Sequence, residues 1–118
     1  MASIQTQSET SIWRDLAPLM RPKSVAVIGA SQRAPAAGSA REPRGNRVIR
    51  NLRNFGYSGQ IVAVNPKYSE VMDCPCYPDL ASIPEPPDCV VLAVPNRHVP
   101  DLLESAAAAG VRAGVVFS

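Results

Sequence analysis

A chain of 118 residues is long enough for one hydrophobic core and too short for two. Its composition, 46% hydrophobic and 19% charged, is that of a folded globular module, and the 12 prolines indicate punctuated loops, not general disorder. A formal charge of +2 gives no argument for nucleic acid as a partner, no apolar run approaches the length that spans a bilayer, and the N-terminus has no secretory signal pattern.

Residues 1 to about 15 form a polar lead. In SIWRDLAPLM, Ile12, Leu16 and Leu19 or Met20 fall at helical spacing, which predicts a short helix docked on the domain and ended before Pro22. Val25 to Ile28 are a continuous apolar run, the pattern of a strand buried on both faces of a parallel sheet, and Gly29 closes it. From Gln32 to Arg44 there is no periodicity, so the segment reads as a loop. Val48, Ile49, Leu52 and Phe55 then lie on one face of a helix that begins around Gly45 and Asn46, with Arg47, Arg50 and Arg53 pointing away and Gly56 as its stop.

QIVAVNPK predicts a second strand, and SEVMDCPCYPDLASIPEPP a loop with a helical turn near Asp79 to Ser82. Cys89 to Val94 is a third strand stopped by Pro95. Asn96 is placed to cap a helix carrying Val99, Leu102, Leu103 and Ala106 inward before Gly110, and GVVFS closes the chain as a fourth strand.

This alternation predicts an α/β fold, a Rossmann-like parallel sheet with flanking helices. The fourth strand ends with the sequence, so the sheet is expected to be truncated at its C-terminal edge and the chain to be part of a longer protein. Cys74, Cys76 and Cys89 are odd in number and lack paired CxxC spacing, which predicts no metal and small packing thiols in a reduced, cytoplasmic setting.

In such a sheet the ligand sits outside the carboxyl ends of the strands. Gly29-Ala30-Ser31, Asn65-Pro66-Lys67 and Pro95-Asn96-Arg97 converge there. Arg33, Arg41, Arg44, Arg47, Arg50 and Arg53 stand against one acid, Glu42, in the first loop and its helix, which suits an anionic ligand. Gly29, Gly38 and Gly45 do not form GxGxxG, yet a helix N-terminus beside the first loop favours phosphate. A site for NAD wants an acid at the end of strand two to hold the ribose hydroxyls. Lys67 stands there instead, which suits a phosphorylated ribose: coenzyme A with its 3′-phosphate or NADP with its 2′-phosphate. The plain alternative is a solvated turn lysine.

SVAVIGAS, GNRVIRNLRNFGYSG, IVAVNPKYSEV, CYPDLASIPEPPDCVVLAVP and GVRAGVVFS, in that order over residues 16 to 118, resemble the CoA-binding domain of the NDP-forming acyl-CoA synthetases, relatives of the succinyl-CoA synthetase alpha subunit. The resemblance implies a domain that binds CoA, with Gly29, Ala30 and Ser31 against its phosphates and Asn46 opening the helix beside them. It also implies Asn65, Pro66 and Lys67 at the nucleotide end and Val94 and Pro95 along the adenine or pantetheine side. The parent enzyme would join a carboxylic acid to CoA at the expense of a nucleoside triphosphate, through a phosphohistidine in a later domain and a nucleotide-grasp domain there or on a partner subunit. The loop between Ser31 and Gly45 is longer than the family pattern leads one to expect.

No catalytic residue is expected in this chain. His98 has no carboxylate or cysteine neighbour in sequence, and Tyr57, Tyr68 and Tyr77 read as packing or loop residues. A stand-alone CoA-binding regulatory protein and a fragment of an NADP-dependent oxidoreductase are the alternative readings.

Overall fold

A computed structural model of the chain describes residues 16–32 and 41–117. Helix α1 is Ala17–Met20, strand β1 Ser24–Ile28, helix α2 Arg44–Asn54 and strand β2 Gln60–Val64. Strands β3 (Glu70–Val71) and β4 (Cys74–Tyr77) follow, then a 3-10 turn at Leu80–Ser82 and strand β5 (Cys89–Ala93). A second 3-10 turn, Asn96–His98, runs into helix α3 (Val99–Ala108), and β6 (Ala113–Phe117) completes the order.

The strands form one sheet in the order β3-β4-β2-β1-β5-β6, parallel throughout except for β3, which pairs antiparallel with β4. β1 is central, with Val25 opposite both Ile61 and Cys89. Its apolar run is continuous because both faces are covered. Val25 and Val27 point to the face on which Ile49 of α2 is fully buried, while Ala26 and Ile28 point to the face packed by Ala106 of α3. Each large aliphatic side chain so removed from water contributes about 1.5–3 kcal/mol.

The Rossmann-like expectation holds, with more strands than the four read from sequence. SEVMDCPCY forms the β3–β4 hairpin, whose turn places Met72 and Asp73 at φ of 52° and 65°. A two-residue turn with both residues left-handed normally carries Asn-Gly, so Met-Asp gave no hairpin signal. The turn expected near Asp79 is present, with the Asp79 carboxylate accepting from the Ser82 N–H at 2.8 Å.

Several helical expectations need correction. α1 is a single turn with Pro18 buried, but Leu16, Leu19 and Met20 are exposed; Ile12 lies outside the described residues. α2 starts at Arg44, and Gly56 ends it as expected, with the N–H groups of Tyr57 and Gly56 bonding back to Leu52 and Arg53. Phe55 is not in the core: it is 89% exposed, because β5 and β6 meet the helix one turn earlier. Arg50 and Arg53 do not simply face solvent. Arg50 pairs with the buried Glu42, and Arg53 donates to the Met72 carbonyl and, at 3.0 Å, to the Cys74 Sγ. Asn96 does not cap α3; it lies inside the 3-10 turn, and the residue preceding the helix is His98. Leu103 is 44% exposed because nothing described packs on that side of α3.

Cys74, Cys76 and Cys89 are free and buried. Burial pushes all three thiols above their ordinary pKa, with the Arg53 guanidinium opposing this at Cys74 and the Asn65 carbonyl opposing it at Cys76.

Candidate functional site

The connections after β1 and β5 diverge to opposite faces of the sheet, so the crevice lies at the carboxyl ends of these two neighbouring strands. Two glycines set its floor. Gly29 has φ of +114°, and a Cβ there would lie 2.2 Å from the Ala93 carbonyl oxygen at the end of β5. Its role is thus the close approach of β5, not of a ligand. A Cβ on Gly45 would lie 2.4 Å from both the Ala30 nitrogen and the Gly29 carbonyl carbon. The first turn of α2 therefore rests directly on the loop after β1.

Asn46, only 3% exposed, locks that contact. Its amide oxygen accepts from the Ser31 N–H at 2.8 Å and its amide nitrogen donates to the Ser31 carbonyl at 2.8 Å. A third strand end is tied in by Asn65, whose side-chain nitrogen donates to the Ala30 carbonyl at 3.1 Å while its oxygen accepts from the Lys67 N–H at 3.0 Å. This is a physical reason for an amide at the end of β2. An ionised acid could accept from Lys67 but could not donate to Ala30.

Of the residues singled out from sequence, Gly29, Ala30, Ser31, Asn46, Asn65 and Lys67 are thus joined in one hydrogen-bonded and packed unit, with Pro66 exposed between the last two. Asn46 and Asn65 shape the site through their hydrogen bonds to the loop. Lys67 is exposed, and its ammonium makes no hydrogen bond or ion pair among the described residues. Val94 and Pro95 lie across the crevice, where they line a cleft of about 370 Å³ with Glu42, Pro43, Arg44 and Phe117.

Arg44 and Gly45 were not picked out as contacts from sequence. Gly45 carried a usable signal, since glycine inside a helix costs about 1 kcal/mol relative to alanine and so calls for a packing reason. Arg44 was visible only as one of several loop arginines. It occupies the first position of α2 beside the cleft, and no acidic residue lies in that first turn. The amides and dipole at this end, with Arg44 and Lys67, suit a ligand carrying more than one phosphate. His98 is exposed at the start of α3, and no group of three or more metal-ligating side chains occurs among the described residues.

Residues 23–118 match the family described as a CoA binding domain. The chain belongs to that family. It is 45% identical over 100 residues to acetate–CoA ligase [ADP-forming] I of Archaeoglobus fulgidus, an alignment covering 85% of this chain and 13% of that protein. It is 36% identical over 107 residues to the alpha subunit of acetate–CoA ligase [ADP-forming] I of Pyrococcus furiosus, covering 87% of this chain and 22% of the subunit. Among solved structures, the dinucleotide-forming acetyl-coenzyme A synthetase 1 of Ca. Korarchaeum cryptofilum, in complex with phosphate and ADP, superposes with a TM-score of 0.76 at 33% identity. That match covers 88% of this chain and 21% of the synthetase chain. This CoA-binding domain therefore spans between an eighth and a quarter of the length of these relatives. No helix among the described residues is long and apolar enough to cross a membrane.

Proposed function

We propose that this domain holds coenzyme A for an NDP-forming acid–CoA ligase and leaves the bond-making chemistry to other domains or a partner subunit. The observation that carries the reading is the joining of three strand ends and the start of α2 into one unit that presents cations and no acid. The diphosphate lies against the Gly29-Ala30-Ser31 loop and the first turn of α2, beside Arg44. The adenosine 3′-phosphate meets the Lys67 ammonium. Val94 and Pro95 give the apolar side of the cleft to the pantetheine arm.

In this arrangement the chain binds and orients and does not transfer protons. The thiol at the far end of CoA is the group that would attack an activated acid, and nothing at the strand ends offers a nucleophile or a base to help it. His98 has no hydrogen bond or ion pair among the described residues, and the buried thiols are held neutral. The unit 16–118 acts as the CoA-binding domain, and residues 1–15 as a lead outside it. The similarity to ligases acting on acetate supports the enzyme class. The match to an alpha subunit supports a parent that can be divided between chains.

Titration calorimetry of the 118-residue chain with CoA, NADP and NAD tests the reading. Saturable 1:1 heat with CoA and little with either dinucleotide is expected. Tighter binding of NADP than of CoA, or no CoA heat from a chain shown folded by circular dichroism, would overturn it.

A further inference from the structure

The larger hollow in the molecule is not at the strand ends. It has a volume of about 500 Å³ and runs along the α2 face of the sheet, lined by Val48, Leu52, Phe55, Val91, Val115 and Phe117. Among the described residues nothing closes it, and Phe55 and Phe117 remain 89% and 45% exposed. On the opposite face α3 covers β5, so the uncovered strip is confined to one side of β5 and β6. A contiguous apolar strip of this kind marks a surface that something covers.

The path of the chain indicates what does. α1 lies against β6, the strand that forms the outer wall of the groove. Just after it, the Pro22 carbonyl accepts from the Tyr57 hydroxyl at 2.8 Å, and Tyr57 itself lines the groove. The residues before Leu16 therefore leave from beside the groove. In the sequence 1–15, Ile12 and Trp13 are the only adjacent pair of large apolar residues in an otherwise polar stretch. Trp13 is three residues from Leu16, a reach of about 10 Å for extended chain. The groove follows β6, whose five residues span about 17 Å, so the indole can enter it without the chain crossing the sheet. One indole also supplies burial on the scale of this strip, about 150–250 Å².

We propose that Ile12 and Trp13 pack into the groove between α2 and β6, with the indole against Leu52 and Val115, so that the N-terminal segment covers the open half of the sheet's α2 face. The cover is intramolecular and does not depend on the ligand site.

The test uses the whole 118-residue chain. In a mixture of isotope-labelled and unlabelled protein, filtered NOE spectra separate contacts within one chain from contacts between copies. Intramolecular NOEs from the Trp13 indole to methyl groups of Val48, Leu52, Val91 or Val115 are expected. Indole NOEs found only between copies would assign the groove to a second molecule, and absence of NOEs to these methyls would leave it to another occupant; either result overturns the proposal. Trp13 is the single tryptophan, so its emission gives a second readout. A blue shift relative to the urea-unfolded chain should be lost in Phe55→Ser, a change at an exposed side chain that leaves the circular dichroism intact. Emission that matches the unfolded chain, or that Phe55→Ser does not move, counts against it.

Discussion

Ser31 and Asn46 hold each other through two hydrogen bonds of 2.8 Å, backbone to side chain in both directions, across the joint between the loop after β1 and the start of α2. The amide is buried, so both of its partners lose water as well. Asn46→Ala would leave the Ser31 N–H and carbonyl without this partner at a cost of about 1–3 kcal/mol. Asn46→Asp keeps the acceptor but sets a carboxylate oxygen against the Ser31 carbonyl, so it should be no better tolerated. Urea unfolding of the two variants measures the loss, and CoA affinity should fall in both even where most of the protein remains folded.

Gly45 reverses the usual rule for helices. At an open helical position alanine is favoured over glycine by about 1 kcal/mol. Here the added methyl would meet the backbone of Gly29 and Ala30 at 2.4 Å, and backbone cannot swing aside as a long side chain can. Gly45→Ala should destabilise by about 1–3 kcal/mol, the range of overpacked cores. A melting temperature at or above that of the parent chain would show that α2 does not rest on the loop as described.

What the sequence made legible, and what it did not, follows from how far apart the cooperating residues lie. β1 and β5 were readable because burial on both faces leaves a local mark, an unbroken run such as Val25–Ile28 or Cys89–Leu92. The phosphate-side loop and Lys67 were readable from strand-end logic and from the family resemblance. The β3–β4 hairpin was not, because its pairs are short and its turn uses Met72 and Asp73 in place of the residues that normally signal it. Nor were the tasks of Asn46, Asn65 and Gly45: each acts on backbone 15 or more residues away in sequence, and their types alone are compatible with ordinary loop and helix positions.

The same hairpin turn offers a gain. Asp73 is exposed at φ of 65°, a region that costs an L-residue roughly 1–2 kcal/mol and glycine almost nothing. Glycine is also more flexible in the unfolded chain, which offsets part of the benefit. Asp73→Gly is expected to stabilise the fold by about 0.5–1 kcal/mol, read as a higher urea midpoint with an unchanged slope. A lower midpoint would contradict the turn geometry.

Alkaline pH should weaken the fold. Burial raises the folded-state pKa of Cys74, Cys76 and Cys89 above the ordinary value of 9.0, and that of Tyr57 above 10.0, with Asp88 adding to the rise at Cys89 and Tyr57. Above pH 9 the unfolded chain releases protons that the folded chain retains, so the unfolded state gains relative stability as pH rises. Their contribution is complete below pH 9 and is lost progressively as pH climbs through the folded-state values. Urea unfolding under reducing conditions should show a lower midpoint near pH 10 than near neutrality, in the range where free thiols and phenols ionise. Cys89→Ala should reduce that pH dependence.

The central claim is that the strand-end unit reads coenzyme A, with Lys67 on the adenosine 3′-phosphate. The most direct measurement is a double comparison by calorimetry: CoA and 3′-dephospho-CoA, each titrated into the parent chain and into Lys67→Ala. A charged contact of this kind is worth about 1.5–3 kcal/mol, roughly a tenfold to hundredfold change in affinity. The account predicts that the parent prefers CoA by such a factor and that the preference vanishes in Lys67→Ala, whose affinity for dephospho-CoA is unchanged. Equal affinity of the parent for both ligands, or a preference that survives the substitution, would contradict it.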